Sequence, residues 1–390
     1  MTTVPVKSDR AVVLWLFAMC ALLALMIVVG GATRLTDSGL SIVEWRPVTG
    51  AIPPLSEAGW LGEFEKYKTI PEYHQVNLGM SLAEFKAIYW WEWGHRFLGR
   101  LIGIAFLLPL IFFAVARRID RPLGLKLFGL FVLGGLQGAL GWWMVSSGLS
   151  ERVDVSQYRL AAHLGLALLL FAAMIWIALD LLAPRAMAAR HRLAPIAIAL
   201  LAGVYAQMIL GAFVAGLRAG RVYNTWPLME GRFIPAAYFT GAPGFADLFE
   251  SMAAVQFNHR LGAYALFAAA LAMMIAARKT ALYPRARMVF AAVALQAALG
   301  VWTVVAGTPL ALGLAHQAMA LIVFGASLYL AHGSMSSIEI TPSSSAGPSG
   351  ARGSMTAATG SDSAPMTPFQ GTRRTGAPSP AATTASAPPR

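Results

Sequence analysis

Cysteine and charge are what this chain has least of. One of its 390 residues is cysteine, Cys20, and it lies inside an apolar run. That count excludes a disulfide framework, a thiolate metal site and a haem attached through Cys-x-x-Cys-His. Charged residues make up 12% of the chain against 57% apolar residues, and mean hydropathy is +0.61. Soluble domains carry about 25% charged residues, so the composition defines a polytopic membrane protein. The formal charge of +12 is spread between apolar runs and forms no single basic patch, which excludes nucleic acid as the partner. The first ten residues are too short for a transit peptide. The small residues after the first apolar run form no clear cleavage site, so that run reads as a retained span.

A span needs about 20 apolar residues, and eight stretches qualify: 11–31, 92–116, 124–145, 159–182, 194–217, 253–277, 287–306 and 310–332. The short connections after the second, fourth and sixth are basic, with Arg117, Arg118, Arg121 and Lys126 in the first of them. The long segment 33–88 instead carries seven acidic residues, among them Asp37, Glu44 and Glu72. Positive residues stay on the cytoplasmic side. Both termini, 1–10 included, are therefore expected in the cytoplasm, with 33–88 and 218–250 facing outward. Ser81-Leu-Ala-Glu-Phe-Lys-Ala-Ile88 reads as a short amphipathic helix over the outer mouth. Residues 333–390 are mostly Ser, Ala, Pro, Thr and Gly, too poor in large apolar side chains to order, and are expected to be a disordered cytoplasmic tail.

An internal repeat sets the expected architecture. Leu136-Gln137-Gly-Ala-Leu-Gly141-Trp142 matches Leu295-Gln296-Ala-Ala-Leu-Gly300-Val-Trp302, and His95-Arg96 matches His259-Arg260. Arg159-Leu-Ala-Ala-His163 resembles Leu312-Gly-Leu-Ala-His316, and Gly30-Gly-Ala-Thr-Arg34 is echoed by Gly211 to Arg218. Each copy has four spans, an even number, so both keep one orientation. The expectation is an all-α membrane protein of eight transmembrane helices in two pseudo-symmetric four-helix bundles. The first covers 11–182 with its outer segment 33–88, a linker spans 183–193, and the second covers 194–332.

The chemistry is concentrated in Glu92-Trp-Gly-His95-Arg96-Phe-Leu-Gly99-Arg100. Ionisable groups at the edge of a span are costly and mark function. On a helix Glu92 shares a face with His95, and with Arg96 and Arg100 at four-residue steps. His95, His163, His259 and His316 each open a span entering from the outer side, so all four imidazoles should lie at one depth near that face. One pair per bundle supplies two axial ligands to a haem. A lone histidine in a span is usually a helix-contact hydrogen bonder; four, paired by a repeat, favour ligation. His74, His191 and His332 earn no such reading and are expected to be solvated or interfacial. Arg96, Arg100 and Arg260 are either interface anchors or partners of haem propionates, which suit a forked guanidinium. Trp90, Trp91, Trp93, Trp142 and Trp302 read as an aromatic belt. Three positions before its histidine the first copy has Glu92 and the second has Gln256. A carboxylate near iron can exchange protons or stabilise positive charge and an amide cannot. The first bundle thus reads as reactive and the second as the holder of a permanent haem. The alternative is that Glu92 merely pairs with Arg96.

The chain resembles the haem A synthase family, in its proteobacterial and mitochondrial-type branch. The likeness rests on Gly39-Leu-Ser-Ile-Val-Glu44-Trp-Arg-Pro-Val-Thr-Gly, Phe64-Glu-Lys-Tyr-Lys-Thr-Ile-Pro-Glu-Tyr73, Glu92 to Arg100 and Asn224-Thr-Trp-Pro-Leu-Met229. It covers residues 11 to about 332. Another branch carries a cysteine pair in the first outer segment, which this chain lacks. The resemblance implies an oxidoreductase of the bacterial inner membrane that oxidises the C8 methyl of haem O to a formyl group, giving haem A for terminal oxidases, with water as oxygen source. It implies haem O as substrate on His95 and His163, haem B (iron) as cofactor on His259 and His316, and Glu92 as the catalytic acidic residue. Membrane lipid, haem O synthase and cytochrome oxidase assembly factors are the implied partners. The nearest rival is a dihaem b-type electron-transfer protein, but such proteins often stack two histidines along one helix, where this chain offers one per helix. A two-repeat transporter with a histidine proton relay is the other rival, and it would be colourless.

Overall fold

The structure, a computed structural model, describes residues 9–182, 190–241 and 245–335. Among the described residues the regular structure is helical, with no β-strand. The α-helices are α1 (Arg10–Leu35), α2 (Glu57–Tyr67), α3 (Pro71–Gln75), α4 (Leu82–Val115), α5 (Arg121–Ser146) and α6 (Gln157–Leu182). They continue with α7 (Ala194–Gly216), α8 (Ala219–Val222), α9 (Asp247–Glu250), α10 (Met252–Ala277), α11 (Tyr283–Val305) and α12 (Leu310–Ser334). Eight of them, α1, α4 to α7 and α10 to α12, are long and apolar enough to cross a membrane, and the chain is a multi-pass membrane protein. The expected tail from 333 begins inside α12 for two residues; 336–390 lie outside the described residues, as do 183–189 of the expected linker.

Local chemistry sets the ends of these helices. Asp9 caps α1 through Ala11 N–H at 2.9 Å, and Asp120 caps α5 through Leu123 N–H at 2.9 Å. Proline stands in the first turn of α5, α7 and α11, where its missing N–H costs nothing. The second span departs most from expectation. Ser81 and Glu84 form a reciprocal capping box, and no proline or glycine follows before Gly94. The stretch expected as a separate amphipathic helix is therefore the first two turns of α4, which begins ten residues before 92.

The eight long helices pack in sequence-neighbouring sets. α1 packs on α4 and α6, and α5 fills between α4 and α6; α7 packs on α10 and α12, and α11 fills between α10 and α12. The sets meet through α1 on α12, α6 on α7 and α6 on α12. Leu16, Met19, Leu168, Phe171, Phe324 and Leu328 belong to the shared core. In lipid, close packing of this kind, more than exclusion of water, holds helices together.

The segment after α1 folds back onto the start of α4. Trp60, Phe64, Tyr67, Phe85 and Tyr89 make one buried cluster, with Phe64 stacked on Phe85 at 4.9 Å. Two histidines expected to be solvated or interfacial, His191 and His332, are buried at helix ends rather than solvated. The His191 ring accepts from Leu193 N–H at 3.1 Å, and His332 meets Asp180 at 2.8 Å with Trp176 edge-on to its ring. Both lie where α7, α12 and α6 end, so helix packing covers them. His74 is exposed, as expected.

Candidate functional site

Four histidines, one on each of α4, α6, α10 and α12, lie against four glycines, each on the long membrane-spanning helix that precedes theirs. A Cβ added to Gly30 of α1 would come within 3.0 Å of His95 Nε2, and one on Gly141 of α5 within 2.9 Å of His163. On Gly211 of α7 and Gly300 of α11 it would meet His259 at 3.2 Å and His316 at 2.8 Å. Any larger residue at these positions displaces the ring. Each glycine is five residues before the last residue of its helix, about 7.5 Å along the axis. Within the second set the rings of His259 and His316 face each other edge to face, 6.5 Å between centroids. His95 is the fourteenth residue of its helix, whereas the other three fall within the first eight.

Glu92 lies beneath the covering segment, 3% exposed. Its Oε1 accepts from Arg96 Nε and Nη2 at 3.1 and 2.6 Å. Its Oε2 accepts from Ser41 Oγ–H and Ile42 N–H, both at 2.8 Å. A carboxylate has about four acceptor sites, and here all are taken. Arg96 also donates to the carbonyls of Ile42 and Glu44 at 2.8 and 2.9 Å, and its guanidinium lies over Trp142, which stacks on Trp45. The same clamp recurs in the second set with an amide in place of the acid. Gln256 Nε2 donates to Tyr223 O at 2.7 Å, and Arg260 donates to Tyr223 O and Thr225 O at 3.0 and 2.8 Å. The correspondence is exact in number: 42 with 223, 44 with 225 and 30 with 211 are each 181 apart.

Arg100 donates to Pro47 O and Arg46 O, both at 2.7 Å, and its Nη1 is buried without a protein partner. Arg96, Arg100 and Arg46 share a cavity of about 200 Å³ with Tyr89, Glu44 and Glu63. Above it Lys66 bonds Glu44 and Glu63 at 3.1 and 2.8 Å, and the bond from Lys66 holds the Glu44 carboxyl below its usual range. Glu72, on α3, is 3% exposed with Oε2 unpartnered. Burial first, then the charge of Glu92, pushes its carboxyl up to about 8.

Three features escaped the sequence reading. One is the contact of Ser41 with Glu92. Another is a charge cluster in which Asp154 holds Arg34 at 3.0 Å and Arg218 at 2.7 Å while Asp37 pairs with Arg218 at 3.0 Å. The third is a glutamine on each of three histidines: Gln137 for His163, Gln207 for His259 and Gln296 for His316. Gln207-x-x-x-Gly211 repeats the spacing of Gln137 to Gly141 and of Gln296 to Gly300, a signal present in the sequence.

Eight membrane-spanning helices with a histidine against a glycine in four of their pairings define a multi-pass membrane protein with a repeated histidine site, and comparison narrows the class. Residues 13–328 match the family model described as Cytochrome oxidase assembly protein, and the chain belongs to that family. The protein named Heme A synthase in Parvibaculum lavamentivorans is 56% identical over 325 residues, covering 83% of this chain and 94% of that one. Proteins of the same name are 54% identical in Bradyrhizobium diazoefficiens, over 83% of this chain and 92% of that one, and 49% identical in Nitrosospira multiformis, over 85% and 97%.

Proposed function

We propose that the chain is a haem A synthase, an oxidoreductase that converts the C8 methyl of haem O to a formyl group. The observation that carries the reading is the repeated histidine-on-glycine contact in four helix pairs, with a buried carboxylate, among the described residues, one turn from the histidine in one of them. The sets α1, α4, α5, α6 and α7, α10, α11, α12 are read as two pseudo-symmetric four-helix bundles in the bacterial inner membrane, with both termini cytoplasmic and the segments 33–88 and 218–250 outside. All four histidines then lie near one face, which disfavours electron transfer across the bilayer by a dihaem b-type carrier.

His259 and His316 fit haem B. Their rings face each other, Gly211 and Gly300 leave them room, and His316 Nδ1 is a buried nitrogen without a protein partner. Neutral imidazole suits iron. When bound, haem B supplies one-electron redox chemistry beside the substrate bundle. His95 and His163 would hold the substrate haem O. Its oxidation, CH₃ to CHO with oxygen from water, releases four protons and four electrons, and the electrons require a redox acceptor supplied from outside this chain. Glu92 would supply negative charge near the substrate methyl as electrons leave it, offset in part by its bond from Arg96, so that water adds there. Its four donors fill its acceptor sites, which favours charge stabilisation over service as a free base. Arg96, Arg100 and Arg260 have their forks on the covering segments, and the spare Nη1 of Arg100 would be the donor left for a propionate. Haem O synthase and cytochrome oxidase assembly factors are the partners this reading implies.

The test is pigment analysis of the purified protein and its variants. Wild type should carry haem B together with haem O or A, and Glu92→Gln should keep its haem while haem A production falls at least a hundredfold. A colourless wild type, or full haem A production by Glu92→Gln, overturns the reading.

A further inference from the structure

Three of the four histidines are held by a glutamine and the fourth is not. Gln137 Nε2 donates to the His163 main-chain carbonyl at 2.8 Å and lies 3.2 Å from its Nδ1; Gln207 does the same to His259 at 2.7 and 3.1 Å. Gln296 reaches the His316 carbonyl at 3.1 Å and the ring at 3.3 Å. In each case the glutamine is four residues before the glycine that backs the ring, one turn along the same face. The residue at that position on α1 is Met26, four before Gly30, and its terminal methyl lies against Gly99. Among the described residues nothing bonds the His95 imidazole through a side chain.

The three amides share a second property: each Oε1 is buried without a partner. An imidazole that ligates iron through Nε2 carries its proton on Nδ1, and that N–H needs an acceptor. As the amides stand, Nε2 holds the histidine carbonyl and also faces the ring; a part-turn about the last torsion that brings Oε1 to Nδ1–H and leaves Nε2 on the carbonyl would give both amide atoms partners. For His316 the amide faces Nε2, and a half-turn of the ring puts Nδ1, itself buried and unpartnered, in the place of Cδ2, on the side that Gln296 faces. A bond of this kind fixes the tautomer and strengthens the imidazole as a ligand, and losing it costs about 10- to 100-fold in metal affinity. A thioether is a weak acceptor and gives neither effect.

We propose that Gln137, Gln207 and Gln296 are positioning residues for the iron-binding histidines, and that Met26 leaves His95 the loosely held ligand. The inference rests on the assignment of haem O to the first bundle and haem B to the second. The second bundle clamps both ligands and keeps its haem; the first clamps one and lets its haem exchange. Strong and weak retention are thereby written into a single register position, 26 against 207.

The test uses the purified full chain in detergent, reading haem transfer to excess apomyoglobin and the midpoint potential of each haem. Gln207→Met copies the first bundle and should speed haem B loss about tenfold or more and raise its potential, with Gln207→Glu restoring slow loss. Met26→Gln should slow release from the first site by a similar factor, and it serves alone if Gln207→Met does not fold. Unchanged rates and potentials in Gln207→Met and Met26→Gln overturn the inference. If those variants are silent while His259→Ala empties the second site, the positioning role fails and the assignment of haem B stands. If His259→Ala keeps its haem, the assignment itself has failed.

Discussion

Asp37 and Arg218 occupy the same left-handed turn, with φ of 52° and 53°, each the second residue beyond the last turn of its helix, α1 or α7, and they pair with each other at 3.0 Å. They are 181 residues apart, the offset that relates Gly30 to Gly211 and Met26 to Gln207. Each is therefore the other's repeat mate, and the ion pair ties one set of helices to the other. Arg218→Asp should set like charges against both Asp37 and Asp154 and lower the melting temperature in detergent. Adding Asp37→Arg should recover part of the loss. The groups are about one quarter exposed, so each pair contributes at most about 1 kcal/mol. Equal melting of the single and double variants would show that the pair does not couple the halves.

The glycines behind the rings make a steric prediction. Gly300→Ala places a methyl 2.8 Å from His316, and overpacking of this kind costs about 1–3 kcal/mol. It should reduce haem bound per protein while circular dichroism keeps its helical amplitude. Gly103→Ala on α4 has open space at that point and should leave haem content unchanged.

Glu72 should make the covering segment sensitive to pH. Its folded carboxyl titrates near 8 against 4.5 when free, so between those values the folded state binds the extra proton. Stability conferred by the protonated form is complete below pH 4.5 and is lost as pH rises toward 8. Glu72→Gln removes the ionisation. It should melt about 3 °C or more above wild type at pH 8.5 and level with it at pH 4.5. The same gain at both pH values would assign the effect to packing.

Arg96 clasps Glu92 and two carbonyls of the covering segment at once. Arg96→Lys keeps the charge and loses the fork. With about 1.5 kcal/mol or more forfeited, limited proteolysis between residues 40 and 56 should accelerate roughly tenfold.

Much of this was legible in the chain. Eight apolar runs gave the eight long helices, and the four histidines were found because the repeat pairs them. The reading failed where information is not periodic. The start of α4 depended on a capping box that let two readings, surface helix and span, fuse into one rod. His191 and His332 look solvated in sequence because the residues that cover them come from α6 and α12, distant in the chain. The histidine-to-glutamine bonds are visible only in part: Gln137 and Gln296 stand in the Leu-Gln-x-Ala-Leu-Gly repeat, but Gln207 lacks the preceding Leu and the Trp that make those two copies recognisable. Asp154 lies in a ten-residue connection, 147–156, where the second copy has only 306–309, so the repeat offered no mate to point to it.

That unbroken α4 has a mechanical result. The aromatic cover grips its first three turns through Phe85 and Tyr89, and His95 sits under two turns further along the same rod. A lever with no joint between handle and tip transmits any twist whole. A shift of the aromatic cover would therefore also turn the His95 imidazole, whatever that ring holds.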